Sequence, residues 1–157
     1  MTAHSFAGMI LRVDLSSGRI WTDEVHKFIP MFLGGRGVDV WMLLNELSPG
    51  VAALHPDNRL IFGTGALVGT LAPCATRLTV EAKSPVTGGI GSGNACGFFA
   101  PQLKFAGFDH VVIQGKAATP VYLWVEDGKA EIRDGSAFWG KTTWETEDTL
   151  KKALGDG

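Results

Sequence analysis

Residues Leu71–Asp109 read LAPCATRLTVEAKSPVTGGIGSGNACGFFAPQLKFAGFD. Arg77–Ala82 (RLTVEA) alternates apolar and polar residues and predicts a strand. Ser84-Pro85-Val86-Thr87-Gly88 predicts a turn, and Gly89–Gly93 an extended, glycine-rich segment. Phe98–Phe105 predicts a short helix closed by Gly107 at its C′ position, and Asp109–Gln114 (DHVVIQ) another strand. Gly88, Gly89, Gly91, Gly93 and Gly97 fall within ten residues. Bare backbone of this kind lets a ligand approach closely and leaves N–H groups free for anions. With one arginine (Arg77) and one carboxamide (Asn94) beside it, the stretch reads as a site for a large phosphate-bearing ligand.

Upstream, Met9–Leu15 (MILRVDL) and Arg19–Val25 predict a hairpin about Ser16-Ser17-Gly18. A helix is expected from near Gly37 to Leu47, stopped by Ser48-Pro49-Gly50, and a short strand at Asn58–Phe62. Downstream, Val121–Glu126 and Ala130–Arg133 flank Asp127-Gly128, a strong hairpin signal. Thr142–Leu154 reads as an amphipathic helix, with Thr143 the expected cap, acidic residues early and Lys151 and Lys152 late. Strands dominate, hairpins recur and three helices are expected. The fold class is therefore α+β with a mixed sheet.

The chain has 157 residues, 45% of them hydrophobic, and a net charge of −2 from 14 basic and 16 acidic side chains. That length supports one domain, and that balance offers no footprint for nucleic acid or an anionic membrane. No apolar run approaches a bilayer span. The N-terminus lacks a basic n-region and a long apolar core, so no signal peptide and a cytoplasmic setting are expected. Cys74 and Cys96 are the only cysteines. They cannot alone ligate zinc or an iron–sulfur cluster and are expected to be buried, inert thiols.

Four local features compete with plainer readings. Gly63-Thr64-Gly65 follows a strand but lacks the glycine spacing and helix of a dinucleotide loop, since Gly69-Thr70-Leu71-Ala72-Pro73 breaks any helix. Gly34-Gly35-Arg36-Gly37 suits an anion at a helix start, or a simple chain reversal with an exposed arginine. Arg77 suits phosphate or a surface ion pair. Asn94 suits a ligand oxygen for magnesium or a cap for the helix after it. His4, His26, His55 and His110 are scattered, so spacing builds no metal site or triad from them. Asp109 and His110 should face opposite sides of their strand.

The segments LGGRGVDVWML, PDNRLIFGTGALVGT, TRLTVEAKSPVTGG, GNACGFFAPQLKFAGFDHVVIQGKAATPVYLWVEDGKAEIRD and WGK resemble, in unbroken order from about Gly8 to Leu154, the N-terminal domain of tungsten-containing aldehyde:ferredoxin oxidoreductases. The resemblance implies a β-rich base that cradles a tungsten (or molybdenum) bis-pterin whose phosphates are bridged by magnesium. It implies a pterin-phosphate contact at Arg77, cofactor contacts along Gly93, Asn94, Ala95 and Cys96, and a place for Asn94 beside the magnesium. Cys96 departs from the glycine common there. The [4Fe–4S] ligands and substrate residues of that family belong to later domains. Residues 1–157 are therefore expected to form one incomplete tungstopterin-binding domain. Alone it should be inactive and hold no cofactor. Its partners would be ferredoxin and C-terminal domains or a partner subunit. The alternative is a stand-alone, non-catalytic interaction module of the same origin, which could form a homo-oligomer through the face those domains would otherwise cover.

Overall fold

A computed structural model describes residues 5–155. Its elements are β1 (Met9–Asp14), β2 (Arg19–Glu24), α1 (Arg36–Glu46), β3 (Leu60–Thr64), β4 (Leu78–Lys83), β5 (Ile90–Ala95), α2 (Phe99–Phe105), β6 (Phe108–Gln114), β7 (Val121–Glu126), β8 (Lys129–Asp134) and α3 (Thr143–Leu154). Six strands form one sheet in the order β2-β1-β6-β3-β4-β5, and β7 and β8 form a separate hairpin. Only β1 and β6 run parallel within the sheet, joined by a long excursion through four strands, α1 and α2. The class is the α+β, mixed-sheet architecture expected from the sequence.

Each face of the sheet carries its own core. On one, Ile10, Ile61 and Val112 meet Val38, Met42 and Leu43 of α1 and Phe28. On the other, Leu11, Val13 and Val111 meet Leu103 of α2, with the β7–β8 hairpin packed alongside. The period-two alternation along β1 and β6 serves both faces, which explains why these central strands are almost continuously buried. Arg12, also on β1, is buried and gives two hydrogen bonds to Glu46 and one to Asp23, tying the C-terminal end of α1 to the β1–β2 hairpin. Asp127 and Gly128 both have positive φ, as the tight β7–β8 turn requires.

Both ends of β3 and the cap of α3 differ from expectation. Gly63 and Thr64 belong to β3 and not to the turn after it, pairing with Thr79 and Leu78. Asn58 and Arg59 precede the strand. The Asn58 amide instead holds the loop through the carbonyls of Ala53 and Lys83. The cap of α3 is Thr142, not Thr143. Its Oγ1 accepts from the Glu145 amide while the Glu145 carboxylate accepts from the Thr142 amide, a reciprocal capping box.

That box has a pH signature. Hydrogen bonds from the Thr142 backbone and then its side chain hold the Glu145 carboxyl below its ordinary range. A carboxyl depressed by folding stabilises above its unfolded pKa, and the contribution is lost as pH falls through the folded value. Thr142→Ala should loosen α3 by about 1 kcal/mol at neutral pH. Its effect on amide exchange across 145–149 should shrink in acid below the usual glutamate range. An effect that grows on acidification would contradict the box.

Candidate functional site

The glycine-rich stretch becomes β5, the last strand of the large sheet, paired on one side only by β4. The register sets Leu78 opposite Ala95, Thr79 opposite Asn94, Val80 opposite Gly93 and Glu81 opposite Ser92. Arg77 precedes β4 by one residue, so the backbone places it beside the Ala95–Cys96 end of β5. Gly93, Asn94, Ala95, Cys96 and Arg77 are all exposed. The five residues singled out from the sequence thus gather at one end of two neighbouring strands.

Asn94 is neither a loop residue nor a helix cap. It lies within β5, and α2, whose N-cap position is Phe98, starts without any side-chain cap. The short link from Ala95 to Phe99 places Asn94 too early to act as that cap. Cys74 and Cys96 are exposed free thiols, contrary to the expected burial. Cys96 is exposed because it continues an edge strand. Cys74 lies in the 65–77 loop with a positive φ of 58°.

Asn94 meets Arg36, the first residue of α1. Arg36 Nη2 donates to Asn94 Oδ1 at 3.4 Å, and Arg36 Nε donates to Glu81 Oε1 at 3.1 Å. Ser92 Oγ donates to the same Glu81 oxygen at 2.7 Å. Glu81 is completely buried, while the Arg36 side chain remains 53% exposed. The second Glu81 oxygen, Oε2, is buried without a hydrogen-bond partner among the described residues. A buried carboxylate left half-satisfied is costly for a fold to retain. The guanidinium of Arg77 makes no hydrogen bond or ion pair among the described residues.

Beneath this cluster lies a buried polar bolt. Asp39, one turn after Arg36, places Oδ1 2.7 Å from His110 Nδ1 on β6, and its Oδ2 accepts from Thr79 Oγ1 on β4 at 2.7 Å. Asp39 and His110 are fully buried. The start of α1 is further tied to β3, since the Gly35 amide donates to the Thr64 carbonyl and Gly34 bridges Gly65. Together these contacts fix where Arg36 projects over β4 and β5.

Asp39 and His110 are 71 residues apart, so sequence spacing could not join them. Being sealed from solvent, they are built to hold α1 and not to act on a ligand. Neighbouring Asp109 binds Lys104 of α2 and the amides of Ala7 and Gly8, consistent with the expected opposite facing. The Arg36–Glu81–Asn94 connection was equally hidden, although one signal existed, an arginine between glycines at a helix start. Glu81 was masked by its place in the polar phase of the alternating stretch Leu78–Lys83, beside Thr79 and Lys83, although the fold buries it.

Opposite α1, the sheet, α2, β7 and α3 enclose an apolar groove of about 680 Å³, lined by Phe62, Leu103, Val111 and Trp124 among others. Helix α3 has no buried residue and reaches this groove through Leu150 and Leu154. Leu71, Phe98, Phe99 and Phe105 are also largely exposed. Among the described residues no three His, Cys, Asp or Glu side chains group to hold a metal ion, and no helix is long and apolar enough to cross a membrane.

The large mixed sheet ends in a bare, glycine-rich edge strand with guanidinium groups and a carboxamide beside it, a donor set whose chemistry suits an anion. Residues 10–157 match the family model described as aldehyde ferredoxin oxidoreductase, N-terminal domain, and the chain belongs to that family. It is 47% identical over 150 residues to the tungsten-containing aldehyde ferredoxin oxidoreductase of Pyrococcus abyssi, covering 95% of this chain and 25% of that protein. The enzyme of the same name from Pyrococcus furiosus is 45% identical over 149 residues, covering 94% and 25%. The WOR-like subunit of an aliphatic sulfonate oxidoreductase from that organism is 32% identical over 155 residues, covering 96% and 24%. Among solved structures, the active-site complex BamBC of benzoyl coenzyme A reductase with 1,5-dienoyl-CoA superposes with a TM-score of 0.93 at 37% identity, over 96% of this chain and 23% of that one. The chain spans about a quarter of the length of the curated relatives it matches.

Proposed function

We propose that this chain is the cofactor-binding N-terminal part of a tungsten-dependent, aldehyde:ferredoxin oxidoreductase-like enzyme, and that the Arg77–Asn94 edge grips the phosphate end of a bis-pterin. The observation that carries this reading is the convergence of an unpartnered guanidinium, a carboxamide and exposed glycine backbone at one end of β4 and β5. The donor set suits phosphoryl oxygens. Arginine offers a permanent charge and a planar fork, and backbone N–H groups add directed donors. Packing within the chain does not demand glycine at position 93. A Cβ there would meet only Val80, at ordinary contact distances of 3.9 Å or more, so the bare backbone is explained by close approach from outside.

When bound, the tungsten–pterin supplies the two-electron redox chemistry that converts an aldehyde and water into a carboxylic acid and two protons. The residues of this chain bind and orient. Arg77 would neutralise phosphate charge, Gly93, Ala95 and Cys96 would lend backbone, and Asn94 would contribute its carboxamide beside a magnesium ion. The [4Fe–4S] cluster, the aldehyde-contacting residues and the route to ferredoxin belong to parts beyond these residues. The exposed apolar groove and α3 supply docking area for those parts. Two free, exposed thiols fit a reducing, cytoplasmic compartment.

The test is metal and pterin content in the complete protein. A charge-assisted contact to phosphate is worth about 1.5–3 kcal/mol, so Arg77→Ala should cut cofactor affinity by about tenfold or more. Asn94→Ala should act in the same direction. Purified variants retaining a full complement of tungsten and pterin at limiting supply would refute the assignment.

A further inference from the structure

We propose that Arg36 is a further phosphate-binding residue of this site and that Glu81 is its positioning residue. This rests on the cofactor reading above and adds a residue that the sequence had left open between an anion contact and a chain reversal.

A guanidinium has five N–H groups in a rigid fork and no acceptor. In Arg36, Nε is committed to Glu81 Oε1, and one Nη2 hydrogen points weakly at Asn94 Oδ1. Both Nη1 hydrogens and the second Nη2 hydrogen have no partner among the described residues, on a side chain half open to solvent. Glu81 is immobile, being fully buried in β4 and held by Ser92 from the neighbouring strand. Its carboxylate therefore grips the fork at Nε and leaves Nη2 beside Asn94 of β5, with Nη1 uncommitted among the described residues. A buried acceptor that orients an arginine while its terminal nitrogens remain open is the arrangement required for a pre-aimed oxyanion clamp. A surface ion pair would instead have two mobile, solvated partners.

The same contact orients Asn94. Arginine only donates, so the atom of the carboxamide facing it is the oxygen. The Asn94 amide nitrogen is thereby left to donate to a neighbouring anion. Arg36 and Arg77 then flank one carboxamide from two elements, α1 and the start of β4, and both address the phosphoryl oxygens of one ligand.

The experiment uses the 157-residue chain with inorganic pyrophosphate as probe, read by titration calorimetry and by the chemical shift of the Arg36 Nε–H. Wild type should bind, with the Nε–H signal shifting on titration. Arg36→Gln should weaken binding by about tenfold in a variant that circular dichroism shows to be folded, the glutamine amide still able to donate to Glu81. Arg36→Lys should restore only part of the loss, because lysine supplies the charge without the fork. Tungsten content of the complete protein should fall in Arg36→Gln as well. Pyrophosphate affinity unchanged in Arg36→Gln but reduced in Arg77→Ala would overturn the role of Arg36 and leave the cofactor reading standing. No binding by wild type at millimolar pyrophosphate would overturn it too. Lost pyrophosphate binding with full tungsten content would show that Arg36 meets free phosphate and not the cofactor. Failure of the cofactor reading itself would appear separately, as full tungsten loading in Arg77→Ala and Asn94→Ala.

Discussion

Gly63→Ala should destabilise the fold by about 3–5 kcal/mol, a large fraction of the stability of a domain this size. Gly63 lies in β3 directly beneath the Asp39 carboxylate. A Cβ added there would collide with both carboxylate oxygens and come within 2.6 Å of Cγ. The strand cannot retreat, because it is paired on both sides, to β4 and to β6. Asp39 would have to leave. It would surrender its contacts to His110 and Thr79 and strand a buried histidine, while the Thr79 hydroxyl kept only the Gly63 carbonyl. The first turn of α1 would lose its hold on the sheet, and Arg36 its place over β5. Denaturant unfolding gives the magnitude, and a loss below 1 kcal/mol would show that Asp39 relocates freely. Asp39→Ala combined with Gly63→Ala should cost less than the sum of the two singles, since both remove the same bolt.

Lys104→Met should cost a similar amount, about 3–5 kcal/mol, for a different reason. Lys104 is a nearly buried cation on α2 whose Nζ donates to the carbonyls of Ser5, Gly65 and Ala66 and lies 3.3 Å from Asp109 Oδ1. Asp109, also buried, receives the amides of Ala7 and Gly8. The pair fastens residues 5–8 and the start of the 65–77 loop to α2 and β6. Methionine fills the space but leaves a buried carboxylate facing no cation and three carbonyls short of a donor. Adding Asp109→Asn should recover part of the loss by removing the stranded charge. A double variant no more stable than the single one would place the cost in the carbonyls alone.

Local chemistry made most of the elements legible. The β1–β2 and β7–β8 hairpins, α1, α2 and β6 follow from alternation, helical spacing and turn residues acting within a few positions of one another. Their boundaries fall within a residue or two of expectation. The errors arose where tertiary contacts override local preference. Gly63-Thr64 looks like a turn but is held in β3 by two neighbouring strands. The thiols look like core residues but sit just past an edge strand and in a loop, exposed among the described residues. Arg77, Gly93, Asn94, Ala95 and Cys96 could be chosen from sequence because they lie close to one another along the chain or match a family pattern. Arg36, Glu81 and the Asp39–His110 pair could not be joined to them, because their contacts span tens of residues.

The order of residues alone determined the α+β class, the hairpins, the glycine-bare strand and the family to which the chain belongs. Each of these is written in short-range periodicity or in a long run of linked motifs. Only the folded sheet decided that α1 lies across β3 and β4, that a sealed carboxylate holds Arg36 beside Asn94, and that Asp39 finds His110. Strand order and helix placement are fixed by burying two apolar faces at once, and no local signal encodes which distant side chains that burial brings within hydrogen-bonding reach.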